Sequence, residues 1–197
     1  MTKESILKEF EAAGAILKGH FVLSSGLHSD TYLQCARVLM EPARAEKLCR
    51  LLADMVNEKI GNDKIDLVVS PAMGGVVVGY EIARQLNKTS LFCERVDGKF
   101  ALRRGFNIEK GSRVLVVEDV VTTGKSSLET FDCIKEFGGV VVAEASLIDR
   151  SNGTANLGVP LVSLMTLDVK TYTAESLPPH LQNIPAVKPG SRFLKAI

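Results

Sequence analysis

The stretch VLVVEDVVTTGKSS, residues 114–127, places an apolar strand, two acids and a turn of small residues in direct succession. It ends in GKS, which resembles the end of a nucleotide-binding P-loop. A P-loop needs a glycine five positions before Gly124, so that backbone amides can surround a phosphate, but that position is Asp119, preceded by Glu118. The stretch therefore predicts a ligand that meets carboxylates first and a loop rich in hydroxyl and amide groups second.

Short apolar segments alternate with helical patterns on both sides of this stretch. Apolar, β-branched strands separated by crossover helices are typical of a parallel sheet that is covered on both faces, with right-handed connections. The pattern predicts strands at 65–70, 91–96, 113–119, 140–149 and 160–167, and helices at 42–60, 75–86 and 126–137. We therefore expect one α/β domain.

The ends of the chain follow a different pattern. Apolar positions predict a first helix over 5–13, and short β-like pieces stand at 21–23 and 31–34. The tail from Pro178 contains three further prolines, so we expect it to be irregular and to cover the body of the domain.

Composition excludes several classes of protein. Lys plus Arg minus Asp plus Glu is 24 − 23 = +1, which gives no reason to expect a nucleic-acid or membrane partner. No apolar run approaches the roughly 20 residues of a membrane span, and the N-terminus lacks the pattern of a signal peptide. Four scattered cysteines and three histidines have no disulfide or metal-ligand spacing. We therefore expect a reduced, cytoplasmic protein.

Three loops should form the site, because ligands of open parallel sheets bind beyond the carboxyl ends of the strands. These loops are SPAMGG (70–75), EDVVTTGKSS (118–127) and DRSNG (149–153). In the second, Glu118 and Asp119 can accept hydrogen bonds from sugar hydroxyls or hold a hydrated Mg²⁺. The residues after them precede a helix, whose N-terminus favours a phosphate. Together they predict a binding site for ribose 5-phosphate; the alternative is an acidic strand end followed by a Thr-Gly turn and a Ser-capped helix.

The same stretch resembles the phosphoribosyl-diphosphate (PRPP) motif of the type I phosphoribosyltransferases. The segments FVLSSGLHSDTYLQC, SPAMGGVVVGYEIARQL, ERVDGKFALRRGF and LDVKTY…IPAVKPGSR are similar to blocks of a bacterial branch of the orotate phosphoribosyltransferases, over about 18–192. The resemblance implies the type I fold, with a central, mostly parallel sheet flanked by helices. It also implies a core over 41–167, a small hood formed by 1–40 and 168–197, and a lid loop over 95–107.

The resemblance also implies the reaction and its residues. The family transfers the phosphoribosyl group of PRPP to orotate, giving orotidine 5′-monophosphate and pyrophosphate in pyrimidine synthesis. Glu118 and Asp119 would hold the ribose hydroxyls, and Asp119 is a catalytic candidate. Orotate would meet Thr122, Arg150 and Ser25. The 5′-phosphate would bind Val120, Val121, Thr122, Thr123, Gly124, Lys125 and Ser126.

The basic segment RVDGKFALRRGFN, 95–107, is the expected lid over the diphosphate. Lys99 is the key catalytic candidate, with Arg103 assisting and with Arg95 as a further PRPP contact. The resemblance implies a homodimer in which this lid reaches the neighbouring subunit. The alternative is a solvated basic hairpin.

The implied cofactor is Mg²⁺, held mainly through PRPP, with contact to Glu118 and Asp119 through water and with no direct protein ligand. Two other functions remain open. The first is a phosphoribosyltransferase that uses a purine or uracil, and only Arg150 and the 22–34 segment favour orotate over these bases. The second is a PRPP-sensing regulator without turnover. No added helix-turn-helix segment or extended basic patch supports the regulator.

Overall fold

A computed structural model of the chain describes residues 2–23 and 26–189. These residues form eight strands: β1 (Ile16–Val22), β2 (His28–Leu33), β3 (Leu67–Pro71), β4 (Thr89–Val96), β5 (Lys99–Leu102), β6 (Arg113–Val121), β7 (Val140–Asp149) and β8 (Leu161–Thr166). The α-helices in this part of the chain are α1 (Lys3–Ala12), α2 (Cys35–Leu39), α3 (Pro42–Lys59), α4 (Gly74–Leu86), α5 (Lys125–Glu136) and α6 (Pro179–Gln182).

Six strands form the central sheet in the order β5-β4-β3-β6-β7-β8. All neighbours are parallel except β4 and β5, which form an antiparallel hairpin. β3 and β6, the central pair, are buried along most of their length, as expected for strands with helices on both faces. The predicted mostly parallel α/β sheet is confirmed.

Alternate residues of β6 belong to two different apolar cores. Leu115 and Val117 pack into the larger core with α3 and α4, whereas Val114 and Val116 pack into a second core with α5. This alternation follows from the period of two in a strand. Packing on both faces holds the carboxyl end of β6 between α4 and α5. Glu118 and Asp119, near the end of that strand, therefore lie where the parallel strands of the sheet end.

The N-terminal segment and the tail pack together over that edge. β1 and β2 form an antiparallel hairpin, and the tail joins it through bridges from Phe21 to Val187 and from His28 to Tyr172. A pair of histidines adds to this contact: His20 Nδ1 lies 2.8 Å from the Ile184 carbonyl oxygen, and its Nε2 lies 2.6 Å from His28 Nδ1. The short β-like pieces expected at 21–23 and 31–34 extend into these longer strands.

The segment 95–107 contains more regular structure than the expected loop. Its first residues complete β4, and β5 then pairs back along β4, with Val96 opposite Lys99 and Cys93 opposite Leu102. Phe100 and Leu102 are buried in the second core. This apolar alternation, together with the tight turn at Gly98, explains why the segment forms a hairpin.

Within the residues that the structure describes, no helix has the length and apolar composition needed to cross a membrane.

Close packing of α4 on β3 gives a first prediction. A Cβ added at Gly79 would lie 1.8 Å from Ser70 Oγ and 2.9 Å from Ser70 Cβ, so that the helix or the strand would have to move. We expect Gly79→Ala to lower the free energy of unfolding by about 1–2 kcal/mol, because overpacking outweighs the better helix propensity of alanine. Urea unfolding measures this change.

The control is Gln85→Ala on the same helix, which should have a smaller effect. An alanine at 79 that leaves stability unchanged or raises it would contradict the predicted steric conflict.

Candidate active site

A cavity of about 790 Å³ opens at the carboxyl ends of the central strands. Its wall contains the complete run from Glu118 to Ser127, Arg95 at the end of β4, and Arg150 directly after β7. Tyr32 and Leu33 of β2 and Pro189 of the tail form its other side. The structure therefore brings the predicted acids, the predicted phosphate loop and the predicted orotate arginine into one cavity.

Near the end of β6, Glu118 is buried and Asp119 is half-buried. Glu118 is 8% exposed. Burial and the neighbouring carboxyls of Asp119 and Glu144 raise the pKa of Glu118 well above its ordinary value. Burial also raises the pKa of Asp119, although its carboxylate accepts a 2.9 Å hydrogen bond from the Val120 amide. A cation or a set of hydroxyl donors would stabilise both carboxylates here.

Asp119 lies against the first turn of α4. A Cβ added at Gly74 would lie 2.8 Å from Asp119 Oδ1, so only glycine leaves space for the carboxylate. This contact joins the SPAMGG loop to the acidic end of β6. The sequence predicted that both loops share one site, and the packing of Asp119 on Gly74 brings them together.

The phosphate loop turns sharply into α5 at Gly124. This residue has φ of +75°, and a Cβ there would lie 2.6 Å from Leu157 Cδ2. Helix α5 begins at Lys125, and the first N–H groups of a helix have no acceptor within it. The amides of the first turn can therefore bind an anion in the cavity.

Ser127 does not offer its hydroxyl to the cavity. It donates a 2.7 Å hydrogen bond to Glu144 Oε1, behind the phosphate loop. Glu144 is fully buried, and burial raises its pKa from 4.5 to about 7. The stretch to residue 127 predicts a loop whose hydroxyl groups are available to a ligand, but in the structure the Ser127 side chain faces the interior.

Arg150 approaches the cavity from the end of β7. Its amide donates to the Val121 carbonyl oxygen at 2.8 Å, which aligns the two loops. Burial lowers the pKa of the guanidinium, and its Nε is buried without an acceptor among the described residues. Tyr32 lies near this guanidinium. A planar anion that enters here would supply the missing acceptor.

The predicted lid cations divide into two groups. Arg95 lines the cavity, where it forms an ion pair with Glu129 of α5, donates to the Gly98 carbonyl oxygen and stacks 4.1 Å from the centre of the Phe100 ring. Lys99 and Arg103 are exposed and lie outside the cavity wall. An extended chain places their Cα atoms about 13 Å apart, and neither side chain lines the cavity in this conformation.

Ser25, the remaining orotate candidate, lies outside the described residues, as does Ser24. The structure does describe the flanks of that loop, where the Leu23 amide donates to the Leu27 carbonyl oxygen at 2.8 Å. The predicted contact of Ser25 with orotate stays a prediction.

The comparisons with known proteins agree with this geometry. The phosphoribosyl transferase domain family matches residues 36–171. The chain belongs to this phosphoribosyltransferase family. A relative from Rhizorhabdus wittichii, named orotate phosphoribosyltransferase, is 60% identical over 194 residues, which make up 98% of this chain and 97% of the relative.

Solved phosphoribosyltransferase structures share the fold. Orotate phosphoribosyltransferase from Aeropyrum pernix has a TM-score of 0.68 at 30% identity, covering 82% of this chain and 93% of that one. Adenine phosphoribosyltransferase from Saccharomyces cerevisiae has a TM-score of 0.64 at 16% identity, covering 82% and 99%. Because enzymes named for different bases share the fold, the fold alone does not choose the base.

Sequence reasoning missed two acids of this phosphoribosyltransferase. Glu129 pairs with Arg95 and lies 3.9 Å from Lys125 Nζ, so it neutralises two of the predicted PRPP contacts. Its spacing of four residues from Lys125 on a helix was a usable signal. Glu144 was visible as a single acid within the apolar strand VVVAEASLID, which is unusual because buried acids require a partner.

The raised pKa of Glu144 gives a prediction on stability. Between pH 4.5 and about 7 the folded state holds a proton that the unfolded state has released, so this group makes the fold less stable as pH rises through that window. Glu144→Gln should remove that loss, up to roughly 3 kcal/mol. Denaturant unfolding between pH 5 and pH 8 measures it.

The expected result is that the stability of the glutamine variant relative to the original chain increases from pH 5 to about pH 7 and levels off towards pH 8. Glu136→Gln, at an exposed position on α5, is the matched control and should show no such trend. Parallel pH profiles for the Glu144 variant and the original chain would contradict the assignment.

Proposed function

We propose that this chain transfers the phosphoribosyl group of PRPP to orotate, producing orotidine 5′-monophosphate and pyrophosphate in pyrimidine synthesis. One structural observation is the main support for orotate as the base. The buried Nε of Arg150, without an acceptor among the described residues, borders the same cavity as the ribose acids and the phosphate loop. Relatives such as that from R. wittichii, named orotate phosphoribosyltransferase, support the same choice.

PRPP binds along the carboxyl end of β6. Its ribose hydroxyls donate to Glu118 and Asp119, whose pKa values are raised by burial and which therefore gain from each donor. Its 5′-phosphate accepts from the first amides of α5, after the turn at Gly124. The two contacts fix both ends of the ribose and leave C1 facing the orotate end of the cavity.

Orotate binds between Arg150 and β2. The guanidinium holds the carboxylate in a two-point contact, which fixes the plane of the ring. Tyr32 and Leu33 provide apolar surface at this end. Thr122, which is exposed in the cavity, contacts the ring from the phosphate loop.

The transition state resembles an oxocarbenium ion, as in glycoside cleavage. Positive charge develops on the ribose, where the carboxylates of Glu118 and Asp119 stabilise it. Glu118 and Asp119 fit a hydrated Mg²⁺, because burial raises the pKa of each carboxyl group and a positive partner would stabilise both carboxylates. They would hold this proposed cofactor through water, and when bound it would supply positive charge to neutralise the leaving pyrophosphate.

The hairpin from 95 to 107 closes over the diphosphate. Arg95 is already in the cavity wall, and it exchanges Glu129 for a diphosphate oxygen when PRPP binds. Lys99 is exposed at the start of β5, next to the turn, and serves as the principal cation of the lid. Arg103 assists after the hairpin has moved.

The active form is a homodimer in which this lid serves the neighbouring subunit. An apolar stripe on α4 supports a second copy there: Val77 and Tyr80 are 50% and 65% exposed, and Met73 at the start of the helix is 79% exposed. Such a stripe is a common form of interface. Met73 precedes Gly74, so the stripe adjoins the site.

A cytoplasmic location agrees with the cysteines. All four, Cys35, Cys49, Cys93 and Cys133, are buried free thiols. Disulfides persist mainly in oxidising compartments, so a set of free thiols favours a reducing one.

Turnover with different bases tests the function. The purified chain receives PRPP and Mg²⁺ with orotate, uracil, hypoxanthine or adenine, and the loss of free base is measured. We expect consumption of orotate alone, and only with the metal, because Arg150 requires a carboxylate. Consumption of another base would assign a different phosphoribosyltransferase, and PRPP binding without turnover would assign a PRPP sensor.

Arg150→Ala, measured in the same assay, should lower kcat/KM for orotate by about a hundredfold or more, since a charged contact is lost in a partly buried site. PRPP affinity should change little. Arg50→Ala, on the surface of α3, is the control. Unchanged orotate kinetics in the Arg150 variant would refute the assignment.

Complementation tests the shared lid. Lys99→Ala and Asp119→Asn chains, each expected to be inactive alone, are co-expressed with two different affinity tags and purified through both. If the lid crosses the interface, each mixed dimer contains one intact site, so activity should return to about half of the original.

The matched control combines Lys99→Ala with Arg103→Ala, where every site has a damaged lid and activity should stay low. Failure of the first pair to recover activity would mean that each lid serves its own subunit.

A further inference from the structure

We propose that Glu144 is a positioning residue for PRPP: through Ser127 it holds the first turn of α5, which binds the 5′-phosphate. The inference rests on the proposed function, since it concerns the same phosphate site. Glu144 does not line the cavity, so it acts through another residue and not on the substrate.

The hydrogen bond between these residues joins two elements. Ser127 is the third residue of α5, and Glu144 lies within β7, opposite Val116 of β6. Ser127 Oγ donates to Glu144 Oε1 over 2.7 Å, with the serine 2% exposed and the glutamate fully buried. The bond therefore fixes the start of the helix relative to the sheet, directly behind the phosphate loop.

A serine inside a helix has another acceptor nearby. Its hydroxyl commonly bonds back to the carbonyl of the preceding turn, a contact that bends the helix. Thr130 of α5 does this, donating to the Ser126 carbonyl oxygen at 2.8 Å. Ser127 instead reaches across to β7, so the first turn of α5 is tied to the sheet and its amides keep their direction.

Stability alone does not explain Glu144. Its Oε2 atom is buried without a partner among the described residues, and its carboxyl group lies close enough to Glu118 for the two to repel each other. Burying a carboxyl group with one oxygen unsatisfied destabilises a fold, and an apolar residue of similar volume is often better tolerated. A group that weakens the fold while bonding to the phosphate-binding turn is typical of a functional contact.

The experiment uses Glu144→Met, Ser127→Ala and their combination. Calorimetry with PRPP and Mg²⁺ measures Kd, steady-state kinetics measures KM for each substrate, and thermal unfolding measures Tm. We expect each single variant to weaken PRPP binding by about fivefold. The combination should weaken it no further, because both changes break one bond.

Two further readings separate positioning from a structural role. KM for orotate should stay constant while KM for PRPP rises, and Glu144→Met should raise Tm as it weakens PRPP binding. Glu144→Gln keeps an oxygen acceptor for Ser127 and should restore most of the PRPP affinity. The control is Ser163→Ala, which removes a 2.7 Å hydroxyl contact to Ser146 between β7 and β8 and should leave Kd unchanged.

Unchanged PRPP affinity in both single variants would overturn the inference, as would additive effects in the combination or a fall in Tm with no kinetic change. If the original chain binds PRPP but does not consume orotate, the proposed function fails while the calorimetric test still decides the role of Glu144. If the original chain does not bind PRPP, both fail.

Discussion

The burial of carboxylates at the end of β6 is the constraint on which the site depends. A central strand with helices on both faces has no water at its sides, so Glu118 is buried and Asp119 is half-buried where they leave the core. Their pKa values rise for that reason. A ligand that brings hydroxyl donors or positive charge stabilises both groups, so the polar end of this otherwise apolar strand suits a sugar such as ribose.

Around these acids, two glycines allow the backbone to pack closely against neighbouring side chains. Gly74 leaves space for the Asp119 carboxylate, and Gly124 permits the turn that directs the amides of α5 into the cavity. Both contacts bring a helix N-terminus to the acidic strand end. The site therefore combines negative side chains with positive helix ends, and a phosphorylated sugar is complementary to that combination.

Positive side chains complete the site, but some of them already form ion pairs with acidic residues of the protein. Glu129 engages Arg95 and lies near Lys125, whereas Arg150 has no acceptor at Nε among the described residues. An anion that enters the cavity can therefore meet the Arg150 Nε without displacing a described partner of that atom. An anion that binds Arg95 must first replace Glu129.

The sequence by itself determined the α/β fold, the position of the cavity at the carboxyl ends of the strands and most of the residues that line it, because strand period, apolar runs and the continuous motif from 114 to 127 are local properties. Only the tertiary structure decided the rest. It turned the hydroxyl of Ser127 away from the cavity to Glu144 and paired Arg95 with Glu129. These outcomes depend on contacts between residues far apart in the chain, which no local pattern encodes.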